Sequence, residues 1–356
     1  MPLYMDIHIV DSDTFTVEDV VKAHMQDLAV QERFGVIQKK YWVNEEAKTL
    51  FCLMEGPNKE ACNEVHKESH GNTACNIIEV LDDEFNLFLG VGKSVNDLAH
   101  TVSGELDTGY RTLLFMSIVD LTGKYGHYIH EVHRLIEQFN GVPLIQPEDD
   151  IMASFIMTSN AIACGLAIGN LFRSIPDNIE FSLSLVSGKP VDERGKHLFE
   201  ETKKKGRYLS ALGLKRTMYI DTDTKALSSK ETHSPTIKQD DFKVVKKEDF
   251  IFLFQLVDNI KKELNNPDFK SEDLIGALGL SKSQTYRKIK SLTGLAPNQL
   301  IQELRLLQSL NRLKQNRQTI AEIAYDLGFN SPTYFTRVFR KRYHILPTSF
   351  IKLSAL

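Results

Sequence analysis

Over its first eighty residues the chain changes hydrophobic period several times. In Leu3, Met5, Ile7 and Ile9 the apolar residues alternate with Tyr4, Asp6 and His8, the period of two that marks a strand. "TVEDVVKAHMQDLAVQERFG" then has helical spacing, "VIQKKYWVN" and "TLFCLMEG" return to strand spacing, "NKEACNEVHKESHG" is helical again, and "NIIEV" closes as a strand. Strand, helix, strand, strand, helix, strand is the ferredoxin-like α+β order. On this pattern the Leu3, Met5 and Ile7 face belongs under the helices. The Asp6 and His8 face is then open or covered by a partner, so a sheet-to-sheet homodimer is expected.

A second alternation occupies residues 107–221, with strands in "RTLLFMSIVDLT", "IMASFIM" and "IEFSLSLVSGKPV" and helices in "HYIHEVHRLIEQFNG", "SNAIACGLAIGNLF" and "KHLFEETKKKGRYLSAL". The stretch 221–245, polar and rich in Ser and Thr, reads as a flexible tether, and 82–107 as a shorter linker.

From residue 246 onward the pattern is helical throughout. "TIAEIAYDLGF" places Ile320, Ile323, Ala324 and Leu327 on one stripe and ends at Gly328. "NSPTYFTRVFRKRY" follows, with Asn330 or Ser331 as N-cap and Pro332 at the first helical position, an apolar face of Phe335, Val338 and Phe339, and a polar, basic face. About fifty residues earlier "SEDLIGALGLSKSQTYRKIKSLTG" has the same layout, with Gly279 as the turn and Ser281 as the cap. Between the two units "PNQLIQELRLLQSLNRLKQ" is an amphipathic helix roughly 27 Å long, able to hold two reading helices about one DNA turn apart. The fold class expected is multidomain: two α+β ferredoxin-like domains (1–90 and 107–221) followed by an all-α double helix-turn-helix domain (246–356).

Charge sharpens this picture. Residues 251–356 carry 16 Lys and Arg against 8 Asp and Glu, net +8, while residues 1–250 are net −12. A basic final third suits a polyanion partner, double-stranded DNA, and the acidic remainder disfavours nonspecific adhesion. No apolar run approaches a membrane span, so no membrane partner is expected. The N-terminus has no secretion signal, and a cytoplasmic location is expected. The four cysteines are too sparse for a disulfide framework or a cysteine zinc site. His66 and His70 at i and i+4 share a helix face, and His24 with Asp27 repeats the idea on the first helix. That spacing can hold a transition metal or merely decorate a solvated face.

Three resemblances add to this reading. "SKSQTYRKIKSLTGLAPNQLIQELRL" and "IAEIAYDLGFNSPTYFTRVFRKRYHILPTSF" resemble the DNA-binding domain of the AraC family of transcription regulators. The resemblance puts base-facing roles on Ser283, Tyr286 and Arg287 in the first unit, with Lys290 on the same helix, and on Pro332, Thr333, Thr336 and Arg337 in the second. It puts Asn330, Ser331, Arg340 and Lys341 nearer the phosphates, and Pro332 stands where a polar residue is expected. "YMDIH", "KAHMQDLAVQE" and "YWVNEEAKTLFCLMEGPNKEACNEVHKESHG" resemble a small ferredoxin-like family that includes a nickel-binding bacterial protein. This implies nickel or another transition metal, with His8, His24, His66 and His70 as candidate ligands and their grouping left open. "TLLFMSIVDLT", with "PEDD" before "IMASF", resembles class III nucleotidyl cyclases, but the first metal aspartate is replaced by Ser117, the second being matched by Asp149. Lys204 and Tyr208 stand where that family has an Asn and an Arg. Two-metal chemistry needs both carboxylates, so the middle domain is read as noncatalytic and the protein as not an enzyme. The expected function is a sequence-specific transcription regulator responding to a metal or small-molecule effector. The rivals are a nucleotide cyclase with a DNA-binding regulatory domain and a metal-buffering protein.

Overall fold

The computed structural model describes residues 1–121, 125–144, 151–174, 179–212, 216–231, 235–238 and 240–354. Strand β1 (Leu3–Ile9), helix α1 (Val17–Val30), strands β2 (Ile37–Asn44) and β3 (Thr49–Glu55), helix α2 (Lys59–Ser69) and strand β4 (Asn76–Val80) form the first unit. Its strands take the order β4-β1-β3-β2, antiparallel throughout, as expected. Local chemistry sets the helix starts. Thr16 and Asp19 form a reciprocal capping box on α1, and Asn58 accepts from the Ala61 N–H at the start of α2.

The 82–107 stretch read as a linker is instead built into the domain. Helix α3 (Asp82–Leu89) leads to strands β5 (Lys93–Val95) and β6 (Leu98–His100), and β6 pairs parallel with β2, giving a six-stranded sheet. The second sheet comprises β7 (Arg111–Asp120), β8 (Val142–Leu144), β9 (Ile151–Phe155), β10 (Ile179–Gly188), β11 (Thr217–Asp221) and β12 (Lys243–Val245). Its helices are α4 (Tyr125–Gln138), α5 (Thr158–Arg173), α6 (Glu200–Ala211) and α7 (Thr222–Ser228). The strand order is β12-β11-β10-β7-β9-β8, so the four strands β10-β7-β9-β8 repeat the ferredoxin-like order of the first sheet, with β11 and β12 added beyond β10. The expected tether 221–245 contributes α7 and the edge strand β12, which pairs parallel with β11. Asp149 lies outside the described residues.

Among the described residues seven helices follow: α8 (Asp249–Glu263), α9 (Ser271–Ala277), α10 (Lys282–Thr293), α11 (Pro297–Gln315), α12 (Ile320–Asp326), α13 (Pro332–Tyr343) and α14 (Pro347–Ser354). Gly328 has φ +69, and a Cβ there would sit 2.7 Å from the Leu264 carbonyl oxygen, so the turn between α12 and α13 requires glycine. Arg305 on α11 donates to the carbonyls of Leu264 and Asn266 and ties the end of α8 to the domain.

The expectation for the faces of the first sheet is inverted. Tyr4 packs with Val20, Val43 and Val65 in the core beneath the helices, and Asp6 and His8 share that face. Met5 and Ile7 point the other way, into a core with Phe88 and Leu89 of α3 and with Leu198 and Phe199. Both faces are buried within one chain, so no partner copy is required to cover either. The same apolar cluster continues through Leu113 and Val186 to Phe250, Leu274 and Ile289 of the helical domain.

One buried pair fastens the two sheets. Arg111 at the start of β7 donates from Nη1 and Nη2 to Asp107 Oδ1 and Oδ2, each at 2.8 Å, and from Nε to the Phe88 carbonyl, while Trp42 Nε1 also donates to Asp107. Removing one member of such a pair leaves a desolvated charge. Arg111→Met should lower stability by about 3 to 5 kcal/mol in urea unfolding, and Asp107→Leu added to it should restore much of the loss. If the double variant were less stable than Arg111→Met, the pair would not be the source of the effect.

Candidate metal centre and nucleic-acid interface

Helices α1 and α2 cross the Asp6 and His8 face of β1 and enclose a cavity of about 530 Å³ lined by His8, His24, Asp27, Cys52, His66 and His70 among others. His66 on α2 is central. Its Nε2 lies 2.8 Å from Asp6 Oδ2 and its Nδ1 3.0 Å from Asp27 Oδ2. His8 Nε2 approaches the same Asp6 oxygen at 3.2 Å, and His70 Nε2 lies 3.4 Å from Asp27 Oδ1. Ser69 Oγ donates to Asp27 Oδ1, and the Cys52 N–H donates to Asp6 Oδ1.

Because both ring nitrogens of His66 face carboxylate oxygens, both carry hydrogen, and the ring is a cation. Burial opposes that charge, but the hydrogen bonds to Asp27 and Asp6 push its pKa up to about 10. Burial by itself would raise both carboxyls. The nearby His8 and His66 hold Asp6, and His66 and His70 hold Asp27, well below the usual carboxylate range. Burial, reinforced by Asp6, pushes the Cys52 thiol up, so it is protonated.

Among the described residues, two sets have ligand atoms within 4.8 Å of one another: Asp6, His8, Cys52 and His66, and Asp27, His66 and His70. The structure thus brings together His8, His66 and His70. His24 lines the same cavity but joins neither set, and bonds Asp97 instead. Sequence reasoning missed Asp6 and Cys52, although the spacing of Asp6 and His8 at i and i+2 on one strand was a usable signal. Imidazole and carboxylate donors in one enclosed cavity fit a borderline divalent ion such as Ni(II). Asp6, His8 and His66 in the one set, or Asp27, His66 and His70 in the other, would hold one, with His66 giving up one proton as the ion enters.

At the other end of the chain Ser281 caps α10 in a reciprocal box with Gln284, and Ser331 Oγ accepts from the Tyr334 N–H at the start of α13. Ser283, Tyr286, Arg287 and Lys290 are exposed on α10. On α13 Thr333, Arg337, Arg340 and Lys341 are exposed and Thr336 half-buried, while Asn330 is exposed just ahead of the helix. Pro332, Thr333, Thr336, Arg337, Arg340 and Lys341 line one open groove of about 690 Å³. Tyr334, which sequence reasoning passed over, is exposed beside Arg337, whose guanidinium lies 5.2 Å from its ring centre. Between α10 and α13, helix α11 spans 19 residues, roughly 28 Å.

Residues 274–352 match the family model of a helix-turn-helix domain, and residues 4–80 that of the nickel responsive protein SCO4226-like. The C-terminal domain is a helix-turn-helix domain of the AraC type. The N-terminal domain is SCO4226-like. In the AraC-type domain the chain is similar to the HTH-type transcriptional activator RhaS of Mannheimia succiniciproducens, at 37% identity over 92 residues, 26% of this chain and 32% of that protein. It is also similar to histidine kinase P4 of Formosa agariphila, at 33% over 91 residues, 26% of this chain and 7% of that protein. The chain therefore spans a third or less of the length of these relatives. Among solved structures, SCO4226 from Streptomyces coelicolor A3(2) is 35% identical, with 22% of this chain and 94% of that chain covered and a TM-score of 0.21. The DNA-binding domain of AdpA in complex with a target DNA is 27% identical, with 28% and 88% covered and a TM-score of 0.27. Adenylate cyclases from Trypanosoma brucei are 10% identical, with 34% and 76% covered and a TM-score of 0.30. Among the described residues no helix is long and apolar enough to cross a membrane.

In the SCO4226-like domain the buried charges make stability depend on pH. The contribution of His66 is fully present below its unfolded pKa near 6.5 and is lost as pH rises through about 10. That of Asp6 and Asp27 is present above about pH 4 and is lost as pH falls through their lowered values. For the metal-free chain, melting temperature should pass through a maximum between about pH 4 and 6.5 as far as this cluster decides it. His66→Gln should flatten the alkaline limb. An alkaline limb identical in the variant would show that His66 is not held as a cation.

Proposed function

We propose that this chain is a cytoplasmic transcription regulator that reads a specific double-stranded DNA site through α10 and α13, with the SCO4226-like cavity as the input for a transition-metal cation, nickel first. In this reading 1–90 senses, 107–221 relays and 246–356 binds DNA. The observation that carries it is the pair of capped, exposed, basic helices spaced by α11, in a domain of the AraC type. Arg287 and Arg337 take base edges, Ser283, Tyr286, Thr333 and Thr336 add shorter contacts, and Lys290, Asn330, Ser331, Arg340 and Lys341 neutralise or bond phosphates.

A noncatalytic middle domain accords with its side chains. Ser117 hydrogen-bonds Ser210 across 2.9 Å, in a cleft that α8, α11 and α14 border with Val257, Leu304 and Phe350. Lys204 lies over the Phe254 ring and Tyr208 donates to Asp258, so both residues serve docking of α8.

Titration against an operator and its base-substituted set tests the reading. Arg287→Ala and Arg337→Ala should each cost about 1 to 3 kcal/mol and relax specificity at different base pairs, whereas Arg340→Ala should weaken binding to every sequence alike. Equal losses on specific and random DNA for Arg287→Ala would remove its base-reading role. Ni(II) should change operator affinity in the wild type and not in His66→Ala; an affinity indifferent to Ni(II) in both would leave a DNA-binding protein without this input.

A further inference from the structure

His24 is the candidate ligand that joins neither donor set, and its surroundings differ from those of the others. Its ring stacks on Tyr41 at 4.4 Å between centres, its Nε2 lies 3.1 Å from Asp97 Oδ2, and its Nδ1 is buried with no hydrogen-bond partner among the described residues. The residue is only 5% exposed, yet it lines the cavity with His8, Asp27, His66 and His70. A nitrogen facing a carboxylate carries the proton, which leaves Nδ1 as the lone-pair side. A buried acceptor without a partner is costly unless something takes that lone pair. One nitrogen donating to a carboxylate and the other left bare is the arrangement of a metal-ligating histidine with its supporting carboxylate.

Asp97 lies beyond the SCO4226-like match at residues 4–80. With Asn96 it forms the two-residue turn between β5 and β6, at φ +49 and +66, and its carbonyl accepts from the Tyr41 N–H at 2.9 Å. The carboxylate is therefore placed by backbone pairing next to the residue on which His24 stacks. Beyond β6 the chain reaches Asp107, the buried partner of Arg111 on β7.

We propose that Asp97 is a positioning residue of the cation site: it holds the Nε2 proton of His24 so that the bare Nδ1 serves as a ligand, and it makes the β5–β6 hairpin the element that registers cation binding. This rests on the reading of the cavity as a metal site. The hairpin is an addition of this chain to the SCO4226-like unit, and it stands between the cavity and the first strand of the middle domain.

Asp97→Gly suits the test, because glycine accepts a φ of +66 and Asn-Gly is a preferred two-residue hairpin turn, so the carboxylate goes while the backbone stays. Asp97→Asn keeps an acceptor for Nε2, and His24→Phe keeps the stack on Tyr41 but no nitrogen. Ni(II) is titrated into the metal-free full-length chain by calorimetry, with the visible absorption of the loaded protein and the metal-free melting temperature as further readouts. Asp97→Gly should weaken Ni(II) binding about 10- to 100-fold with little change in metal-free melting, and Asp97→Asn less. His24→Phe should lose at least as much and shift the Ni(II) absorption, and the double variant should lose no more than His24→Phe. Hydrogen exchange over residues 93–100 should slow on Ni(II) addition in the wild type and not in His24→Phe.

Unchanged Ni(II) affinity in Asp97→Gly, or losses that simply add in the double variant, overturn the positioning role and leave the metal site standing. Slowing that persists in His24→Phe overturns the role of the hairpin. A wild type that takes up no Ni(II) overturns the metal site itself and this proposal with it.

Discussion

Two carboxylates, Asp6 on the sheet and Asp27 on α1, are held out of water in the same small space, and neither can stay ionised without a cation between them. Desolvated charges survive only when paired and hydrogen-bonded. His66 meets that need by presenting one protonated nitrogen to each. The bond pattern pins α2 to both α1 and β1, and it explains why His8 and His70 turn inward rather than to solvent. It also means that a divalent ion would find its carboxylates already ionised and its imidazoles already gathered, with one His66 proton to be displaced.

The same rule, that buried charge must be matched, governs how the domains meet. Asp107 and Arg111 close against Trp42 where the first sheet runs into the second. Arg342, at the end of α13, is clamped by Glu180 of β10 and Glu303 of α11 at 2.6 to 2.7 Å. Each pair sits at the edge of apolar packing, and the largest core cluster runs from Met5 and Ile7 through Leu113 and Val186 to Phe250 and Ile289. That cluster joins the first sheet, the second sheet and α8 to α10, whereas α13 packs with α11, α12 and α14 in a cluster of its own around Phe335 and Phe339. In the middle domain Ser117 faces a cleft, and Lys204 and Tyr208 face the neighbouring helix α8.

Much of this was legible in the chain. Local rules wrote the helical domain: Ser281 and Ser331 cap, Pro332 opens α13, Gly279 and Gly328 turn, and the apolar stripes leave Arg287, Arg337 and Arg340 outside. These depend on contacts within a turn or two of helix, so periodicity and residue type suffice. The strand and helix order of both α+β units was legible for the same reason.

What the sequence alone determined, then, was element type, strand alternation and the identity of the histidines. Which face of β1 lies under the helices was decided by tertiary packing, because alternation separates two faces but does not say what covers each. Met5 and Ile7 found their cover in Phe88, Leu89, Leu198 and Phe199, partners at a distance of many residues that no local period encodes. That freed the Asp6 and His8 face to become the inside of a cavity. Cys52, Asp97 and the grouping of His66 with two aspartates were hidden for the same reason: a site assembled from two strands, two helices and a hairpin exists only once the chain has closed on itself.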